Sequence, residues 1–362
     1  MRGEVASPET RVTAERLLAG ERVLAGHARS VRLRVATVAA LALLAFAAFV
    51  LDLGTGSSSL GLSGVVDGLL HPETLSRPMR VIIFDVRLAT ATLAVLVGAA
   101  LALAGAEMQT ILDNPLASPF TLGISSAAAL GAALGIVAGA GLPLVPQAWI
   151  VPANAFVFAM AAIAAVQALA RLRGGGPETL VLLGVTLMFA ANAGTALLQF
   201  VASAQTLQQL VFWTLGGLGR ADWTRIAVLA GVLALTAPFS LLASARLNAL
   251  RLGEDRARSF GVDVDRLRRL ALLRIGVLTA TSVAFVGTIA FVGLVAPHVA
   301  RLLVGEDHRA FLPASMVTGA LVMAAASAAS KLVAPGVVVP VGILTAVVGV
   351  PVLLALILAG RR

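Results

Sequence analysis

Residues 87–106 have the sequence RLATATLAVLVGAALALAGA, in which no charged side chain follows Arg87. A helix that crosses a lipid bilayer needs about 20 mostly apolar residues, and this stretch supplies them. Its small residues, Gly98 and Gly105 among them, allow neighbouring helices to cross closely. The stretch therefore predicts a transmembrane helix that packs within a bundle of helices.

The composition of the whole chain agrees with that of this stretch. Of its 362 residues, 59% are hydrophobic and 12% are charged, about half the charged fraction of a soluble protein. The formal net charge of +9 alone suggests an acidic partner, but the apolar excess points first to membrane lipid rather than nucleic acid. The absence of cysteine excludes disulfide, zinc–thiolate and iron–sulfur chemistry. We interpret the chain as a polytopic membrane protein.

Apolar runs of spanning length recur along the chain and predict an all-α fold with about ten transmembrane helices. A cleaved signal peptide is the alternative for the first run, but the run is longer than a usual signal and 34 residues precede it. The longest polar segments are the N-terminal tail, 1–34, and an inner loop near 246–271, so the transmembrane domain occupies 35–360. The predicted spans lie near residues 35–53, 87–106, 120–141, 149–170, 179–201, 223–245, 272–292, 293–303, 312–333 and 340–359.

The arginines indicate the orientation of these helices. With the N-terminus inside, 21 of the 27 basic residues fall in inner segments, eight of them from Arg246 to Arg274. This bias follows the positive-inside rule and predicts that both termini are cytoplasmic. Trp149, Trp213 and Trp223 then fall at the outer boundary, where an indole ring is stable at the lipid–water interface.

Motifs for several kinds of catalytic chemistry are missing from the sequence. A P-loop for ATP requires a lysine, and the only lysine, Lys331, lies between Ser330 and Leu332 and outside such a motif. The four histidines have no metal-ligand spacing, so no metal site is predicted. We therefore expect a transporter, not an enzyme, that carries no cofactor of its own.

Few polar residues lie within the predicted spans. Glu107, at the inner end of the second span, is interpreted as a hydrated helix end, with a proton site as the alternative. Asn192 and Gln199 are seven residues apart and share a helix face. They either line a polar pathway or hydrogen-bond to a neighbouring helix, and the sequence leaves both possibilities open.

The inner loop contains the sequence LGEDRARSFGV at 252–262. Glu254 and Arg258 form a stabilising i,i+4 pair, and Gly261 suits the left-handed position after a helix end. A short helix here is either a docking surface for a cytoplasmic partner or a charged loop that only sets topology. Its predicted apolar edge consists of Leu252, Ala257 and Phe260.

At these residues the sequence resembles the FecCD-type permeases of bacterial ATP-binding-cassette importers for iron–siderophores, haem and cobalamin. The resemblance extends from about residue 80 to residue 360, and its motifs occur in the family's order. They comprise Gly98 to Gly105 with Gln109, Asn114-Pro115-Leu116-Ala117, Leu122 to Ser126, Phe212-Trp213 with Gly216 and Trp223, Leu252-Gly253-Glu254 with Ala257-Arg258 and Gly261-Val262, Gly287 to Leu302 through Pro297-His298, Asp307-His308-Arg309, and Pro340 to Ile343 with Thr345-Ala346.

The resemblance implies a ten-helix subunit that pairs with a second copy or a paralogue around a central pathway. It implies two cytoplasmic ATPase subunits, which bind ATP and Mg²⁺, and an extracytoplasmic binding protein that delivers the ligand. The ATPase-coupling loop would comprise Leu252, Gly253, Glu254, Ala257, Arg258, Gly261 and Val262. The pathway candidates are Asn114, Pro115, Ser125, Ser126, Asn192 and Gln199.

The sequence departs from the family pattern at the outer end of the second span. The family has Arg-Leu-Pro-Arg there, whereas Arg87 and Leu88 are followed here by Ala89 and Thr90. The resemblance therefore carries a docking role for the binding protein over to Arg87 only, with Arg77 and Arg80 as substitutes for the second arginine. Glu107 is a second departure, because this position is usually apolar in the family.

The sequence thus predicts a multi-pass permease of the bacterial cytoplasmic membrane that translocates a ferric siderophore or a similar metal chelate. Haem or cobalamin is the alternative cargo. An ion-driven secondary transporter is the alternative of a different class. The tail, 1–34, is either a helix on the inner membrane surface or a passive segment that sets topology.

Overall fold

The computed structural model describes residues 8–56, 60–141, 143–172, 175–334 and 336–359, with the side chains of 8–28 and of 356, 357 and 359 excepted. Its described part is all-helical and contains no β-strand. The α-helices are α1 (Pro8–Gly54), α2 (Leu62–Leu70), α3 (Arg77–Arg80), α4 (Ala89–Ile111), α5 (Ile124–Val137), α6 (Ile150–Arg171), α7 (Pro177–Val201), α8 (Ala204–Thr214), α9 (Trp223–Leu242), α10 (Ser244–Leu250), α11 (Glu254–Ser259), α12 (Val264–Val286), α13 (Val292–Val304), α14 (His308–Leu332) and α15 (Val341–Ala359).

Seven helices of the described residues are long and apolar enough to cross a membrane. Three shorter apolar helices accompany them, and each of the ten predicted spans overlaps one of these ten segments. The all-α membrane fold is thereby confirmed, while the number of crossings and the side of the termini stay predictions. The seven are Arg29–Gly54, Arg77–Ile111, Gln147–Arg171, Pro177–Val201, Trp223–Leu242, Val264–Val286 and His308–Leu332, and the shorter three are Ile124–Val137, Val292–Val304 and Val341–Ala355.

The second span is longer than predicted. A π-helical segment, Val81–Leu88, joins α3 to α4, so Arg77–Ile111 forms one continuous helix. Pro78 stands in its first turn, where its missing N–H leaves no hydrogen bond unmade. The apolar run from Leu88 therefore marks only the part of the helix that lies deepest in the bundle.

α4 and α12 lie at the centre of the bundle. In the most apolar 18-residue stretch of the spans that contain α4 and α12, 72% is buried inside the bundle. The corresponding stretches of α1 and α7 are only 17% buried. A Cβ at Gly98 would overlap the carbonyl of Gly319 in α14, and one at Gly105 would overlap the carbonyl of Gly293 in α13. This confirms the prediction that small residues permit close crossings, since any larger side chain would push the helix backbones apart.

The first helix is attached to both ends of α14. Arg34 donates to Asp307 at 3.2 Å at one end, and Lys331 pairs with the fully buried Asp52 at 2.7 Å at the other. α1 is unbroken from Pro8, so residues 8–34 continue the first span as one helix. A separate helix on the membrane surface would need a break between the tail and the span, and α1 runs unbroken through residues 34 and 35. Residues 1–7 lie outside the described residues.

Trp213 does not occupy the interface position that the sequence predicted. Its side chain is 1% exposed and packs in the main hydrophobic core, whereas Trp223 is 43% exposed. The physical reason is α8, a helix absent from the predicted spans, whose inward side buries Leu210 and Trp213. The prediction for Trp213 was therefore wrong.

Candidate functional site

The loop predicted as a coupling surface folds into two short helices, α10 and α11, before α12 begins. We call the end of the bundle that carries this loop the inner end, following the arginine distribution, and the opposite end the outer end. Leu252 and Phe260 are 53% and 67% exposed on either side of α11. Gly261 has a φ of +80° after the helix end, as its position predicted, and Val262 donates from its backbone N–H to the carbonyl of Ala257 at 3.0 Å. Ala257 is fully buried and anchors α11 from beneath, so the exposed part of the predicted apolar edge consists of Leu252 and Phe260.

α11 is connected to the rest of the protein through Glu254. The predicted pair with Arg258 is present, at 3.2 Å, and a second arginine, Arg268 of α12, binds the other carboxylate oxygen. The guanidinium of Arg268 also donates to the carbonyls of Ile111 and Gly175, both at 3.3 Å. One buried arginine thus links α11, the end of α4 and the turn before α7. Its signal in the sequence is a charged residue among the apolar positions of α12.

Glu107 is not a hydrated helix end. It is 1% exposed and forms a two-pronged pair with Arg274 of α12: Nε donates to Oε1 at 3.0 Å and Nη2 donates to Oε2 at 2.8 Å. The Arg274 side chain is itself only 11% exposed. The prediction was wrong because a carboxylate near a helix end can obtain its compensation from an arginine instead of from water.

A polar network connects four helices at the inner end. Asp307 precedes α14, pairs with Arg34 of α1 and accepts a hydrogen bond from Asn248 of α10 at 2.9 Å. Asn248 accepts from the backbone N–H of His308, whose ring contacts Thr110 of α4 at 2.7 Å. Burial raises the pKa of Asp307, but the hydrogen bonds from Asn248 and the Arg309 N–H, with the charge of Arg34, hold that pKa below its ordinary value. His308 therefore has a structural place in this network.

The arginines predicted to dock a binding protein lie in different environments. Arg87 is 4% exposed, and its Nη1 donates to the carbonyls of Leu53 at 3.0 Å and Leu60 at 3.1 Å. Arg77 and Arg80 are exposed at the start of the long helix. Arg87 thus joins the π-helical segment to the end of α1, while the docking role of all three arginines stays a prediction.

The four candidate pathway residues that follow α4 differ in their exposure. Asn114 and Pro115 are exposed in the turn before α5, where the Asn114 Oδ1 accepts the backbone N–H of Leu116 at 2.9 Å. Ser125 and Ser126 are buried in the first turn of α5. Of these four residues, Asn114 and Pro115 are therefore the two that are open to a ligand.

The remaining two candidates lie on α7, which with α1 is the least buried of the seven long apolar helices in the described residues. Asn192 is exposed and Gln199 half-buried on α7, beside the exposed Phe189 and Phe200. No hydrogen bond to another helix is made by either polar side chain in the described residues. The structure thus favours a polar surface over a helix–helix bond at these positions.

Two cavities at the outer end were not predicted from the sequence. One, of about 610 Å³, is lined by Gln205, Gln208 and Gln209 of α8 together with Arg220 and Arg225. The other, of about 450 Å³, also includes Arg220 and extends to Lys331. The three glutamines lie on α8. Hydropathy alone does not reveal this helix, because α8 is too short and too polar to resemble a membrane span.

Comparisons with known proteins agree on one family. A model of the FecCD transport family matches residues 43–359. The hemin transport system permease protein HmuU of Yersinia pestis is 36% identical, over 86% of this chain and 93% of its own length. The Fe(3+) dicitrate transport system permease protein FecD of Escherichia coli is 36% identical over 81% and 94%. The cobalamin import system permease protein BtuC of Halobacterium salinarum is 39% identical over 79% and 74%.

The fold agrees with that of a solved transporter. A structure described as a metal-chelate type ABC transporter in an inward-facing conformation covers 91% of this chain and 100% of its own, with a TM-score of 0.77 and 31% identity. Family motifs, relatives and fold converge over nearly the same residues. The chain therefore belongs to the FecCD transport family of ABC importer permeases.

Proposed function

We propose that the chain imports a ferric siderophore or a similar metal chelate across the cytoplasmic membrane of a bacterium. The hemin, ferric dicitrate and cobalamin permeases to which it is similar support a chelate as cargo, with haem or cobalamin as the alternative. The observation that carries the proposal is α11, an exposed helix at the inner end that is joined to the centre of the bundle by Arg268.

Two ATPase subunits, which bind the ATP and Mg²⁺, dock on the segment Leu252–Val262 of two permease chains. The exposed side chains of Leu252 and Phe260 supply apolar contact area for this docking. Movement of α11 reaches the bundle through Glu254 and Arg268, which contacts the last turn of α4. Because packed helices shift between discrete arrangements, this movement alternates the access of the pathway between the two sides.

The partner permease, a second copy or a paralogue, lies against the exposed face of α7. Asn192 and Gln199 then face the space between the two chains, and their amides offer polar contacts to a passing chelate. At the outer end, Arg77 and Arg80 pair with acidic residues of an extracytoplasmic binding protein.

Reconstitution tests this function directly. The chain is placed in proteoliposomes with its ATPase subunits and its binding protein, and uptake of a ferric siderophore, haem and cobalamin is compared with and without ATP. ATP-dependent uptake of the ferric chelate is expected. Uptake by the chain alone under an ion gradient would instead establish the secondary transporter, a mechanism that the pairing of Glu107 with Arg274 does not favour.

A further inference from the structure

The coupling loop, residues 252–262, is bonded to the rest of the bundle through α11. Glu254 of α11 binds Arg268 of α12, and Arg268 donates to the carbonyl of Ile111 at the end of α4. The short helix α10 lies on the other side of the loop and ends at Leu250. The contacts of α10 therefore decide whether the loop has a second connection to the bundle.

The side chain of Asn248 attaches α10 to the start of α14. Its Nδ2 donates to Oδ1 of Asp307 at 2.9 Å, and its Oδ1 accepts from the backbone N–H of His308 at 2.9 Å. The same oxygen lies 2.7 Å from Nδ1 of the His308 ring. One half-buried amide thus binds two consecutive residues, and Arg251, just after α10, adds an ion pair with Glu306.

His308 continues this attachment to α4. An amide oxygen only accepts hydrogen bonds, so its contact with Asn248 places a proton on Nδ1 of the ring. With the ring neutral, Nε2 accepts from the hydroxyl of Thr110 at 2.7 Å. His308 and Thr110 are both buried, and a hydrogen bond is stronger there because the local dielectric constant is low. Thr110 directly precedes Ile111, the residue that Arg268 contacts.

We propose that Asn248 is a positioning residue that couples ATP hydrolysis to transport, an inference that rests on the proposed function. The helices on the two sides of the coupling loop are connected to adjacent residues of α4. From α11, Arg268 reaches Ile111. From α10, Asn248 and His308 reach Thr110. Because both connections end on the same helical turn, a displacement of the loop moves the end of α4. With one connection lost, the loop pivots about the other and α4 stays in place.

The last turn of α4 is well placed for this transmission. It ends a continuous helix, Arg77–Ile111, that reaches from the outer to the inner end of the bundle. That helix packs against α14 at Gly98 and Gly319, where neither glycine leaves room for a Cβ on the other. Because a close-packed interior transmits displacements, a movement at the inner end is expected to reach the outer end.

The amount of chelate imported per ATP hydrolysed tests the proposal. Proteoliposomes contain the full chain, its ATPase subunits and its binding protein. Phosphate release is measured together with uptake of whichever of a ferric siderophore, haem and cobalamin the wild type imports. Asn248→Ala removes the connection from α10 and is expected to lower uptake per ATP about tenfold. ATP hydrolysis itself should continue, because the sites for ATP lie on the other subunits.

Thr110 allows a milder test at the far end of the same connection. Thr110→Val removes the hydroxyl with little change in side-chain size, and it should lower uptake per ATP about fivefold. Thr110→Ser retains the hydroxyl and should stay within about twofold of the wild type. The unfolding temperature of each variant is measured in the same preparations.

A matched variant separates coupling from support of the fold. Arg34 of α1 binds Asp307 at 3.2 Å, so Arg34→Gln weakens the same network without removing a contact of α10. Both Arg34→Gln and Asn248→Ala should lower the unfolding temperature. Uptake per ATP should stay within about twofold of the wild type in Arg34→Gln, because a partly exposed ion pair contributes little and α10 remains attached.

Two results would overturn the inference and leave the proposed function standing. Wild-type uptake per ATP in Asn248→Ala would show that the loop needs no connection through α10. Equal losses in Asn248→Ala and Arg34→Gln, or in Thr110→Val and Thr110→Ser, would assign the network to support of the fold alone. Absence of ATP-driven uptake of all three chelates by the wild type would instead overturn the proposed function, and this inference with it.

Discussion

The buried pair of Glu107 and Arg274 provides the sharpest test of the packing inside the bundle. Replacing Glu107 by leucine leaves the Arg274 guanidinium, in a side chain that is 11% exposed, without its partner. Loss of one partner from a buried ion pair costs about 3–5 kcal/mol, because the remaining charge is uncompensated. At about 2 °C per kcal/mol for a chain of this size, the unfolding temperature of Glu107→Leu should fall by roughly 6–10 °C.

The double variant Glu107→Leu/Arg274→Met distinguishes this explanation from a general loss of packing. Removing both charges and retaining the volume is often neutral or stabilising, so the double variant should be more stable than either single variant. Unfolding in mixed micelles, followed by the fluorescence of the three tryptophans, measures the three free energies. Asp67→Asn is the control, because its pair with His71 is exposed and contributes only about 0–1 kcal/mol.

Two outcomes would refute the reasoning. If each single variant lost less than about 1 kcal/mol, the two charges would be compensated by water and the pair would not be buried in the membrane protein. If the double variant lost the sum of the two single losses, the side chains would contribute independently and the ion pair would carry no interaction energy.

Three further predictions concern glycines of the bundle and of the coupling loop, and the exposed arginines at the outer end. Gly105→Ala should destabilise the permease by about 2 kcal/mol or more in the same unfolding assay, because the added Cβ would overlap the backbone of α13. Gly231→Ala is the control: its Cβ would meet no other atom, so the change should be neutral or stabilising by up to about 1 kcal/mol. At Gly261 an added Cβ would contact no other atom, but a φ of +80° is strained for any residue with a side chain. Gly261→Glu should therefore leave membrane insertion intact but uncouple ATP hydrolysis from uptake. Normal coupled transport in this variant would exclude a coupling role for the loop 252–262. Arg77→Glu/Arg80→Glu should weaken pull-down by the binding protein, most at low salt, while unchanged binding at all salt concentrations would exclude these arginines from docking.

Much of the fold could be predicted from local sequence patterns. The run after Arg87 is long and apolar enough to form a membrane helix by itself, and the structure contains that helix. Glu254 and Arg258 stand one turn apart and form their pair within α11, and Gly261 ends the helix in the expected conformation. These features depend on neighbours within about four residues, so the sequence displays all the atoms that decide them.

The errors share a different cause. Glu107 was interpreted as hydrated because its partner, Arg274, is 167 positions away in the chain. The docking role of Arg87 stays a prediction, but its hydrogen bond to the end of α1 could not be predicted, because Leu53 is 34 positions away. Trp213 was placed at the interface because a short helix such as α8 has no hydropathy signal of its own. In each case a distant segment decides whether a polar or aromatic side chain faces water, lipid or protein.

The sequence by itself determined that this is a helical membrane protein, where its principal helices lie, and, through its ordered motifs, the family to which it belongs. Span length, charge distribution and turn residues are local properties, and a bilayer requires each helix to satisfy its own backbone hydrogen bonds. Only the tertiary structure decided which charges are compensated by one another, as for Glu107 with Arg274 and Glu254 with Arg268. Such pairs arise when packing removes two distant side chains from water together, and that depends on how the helices assemble.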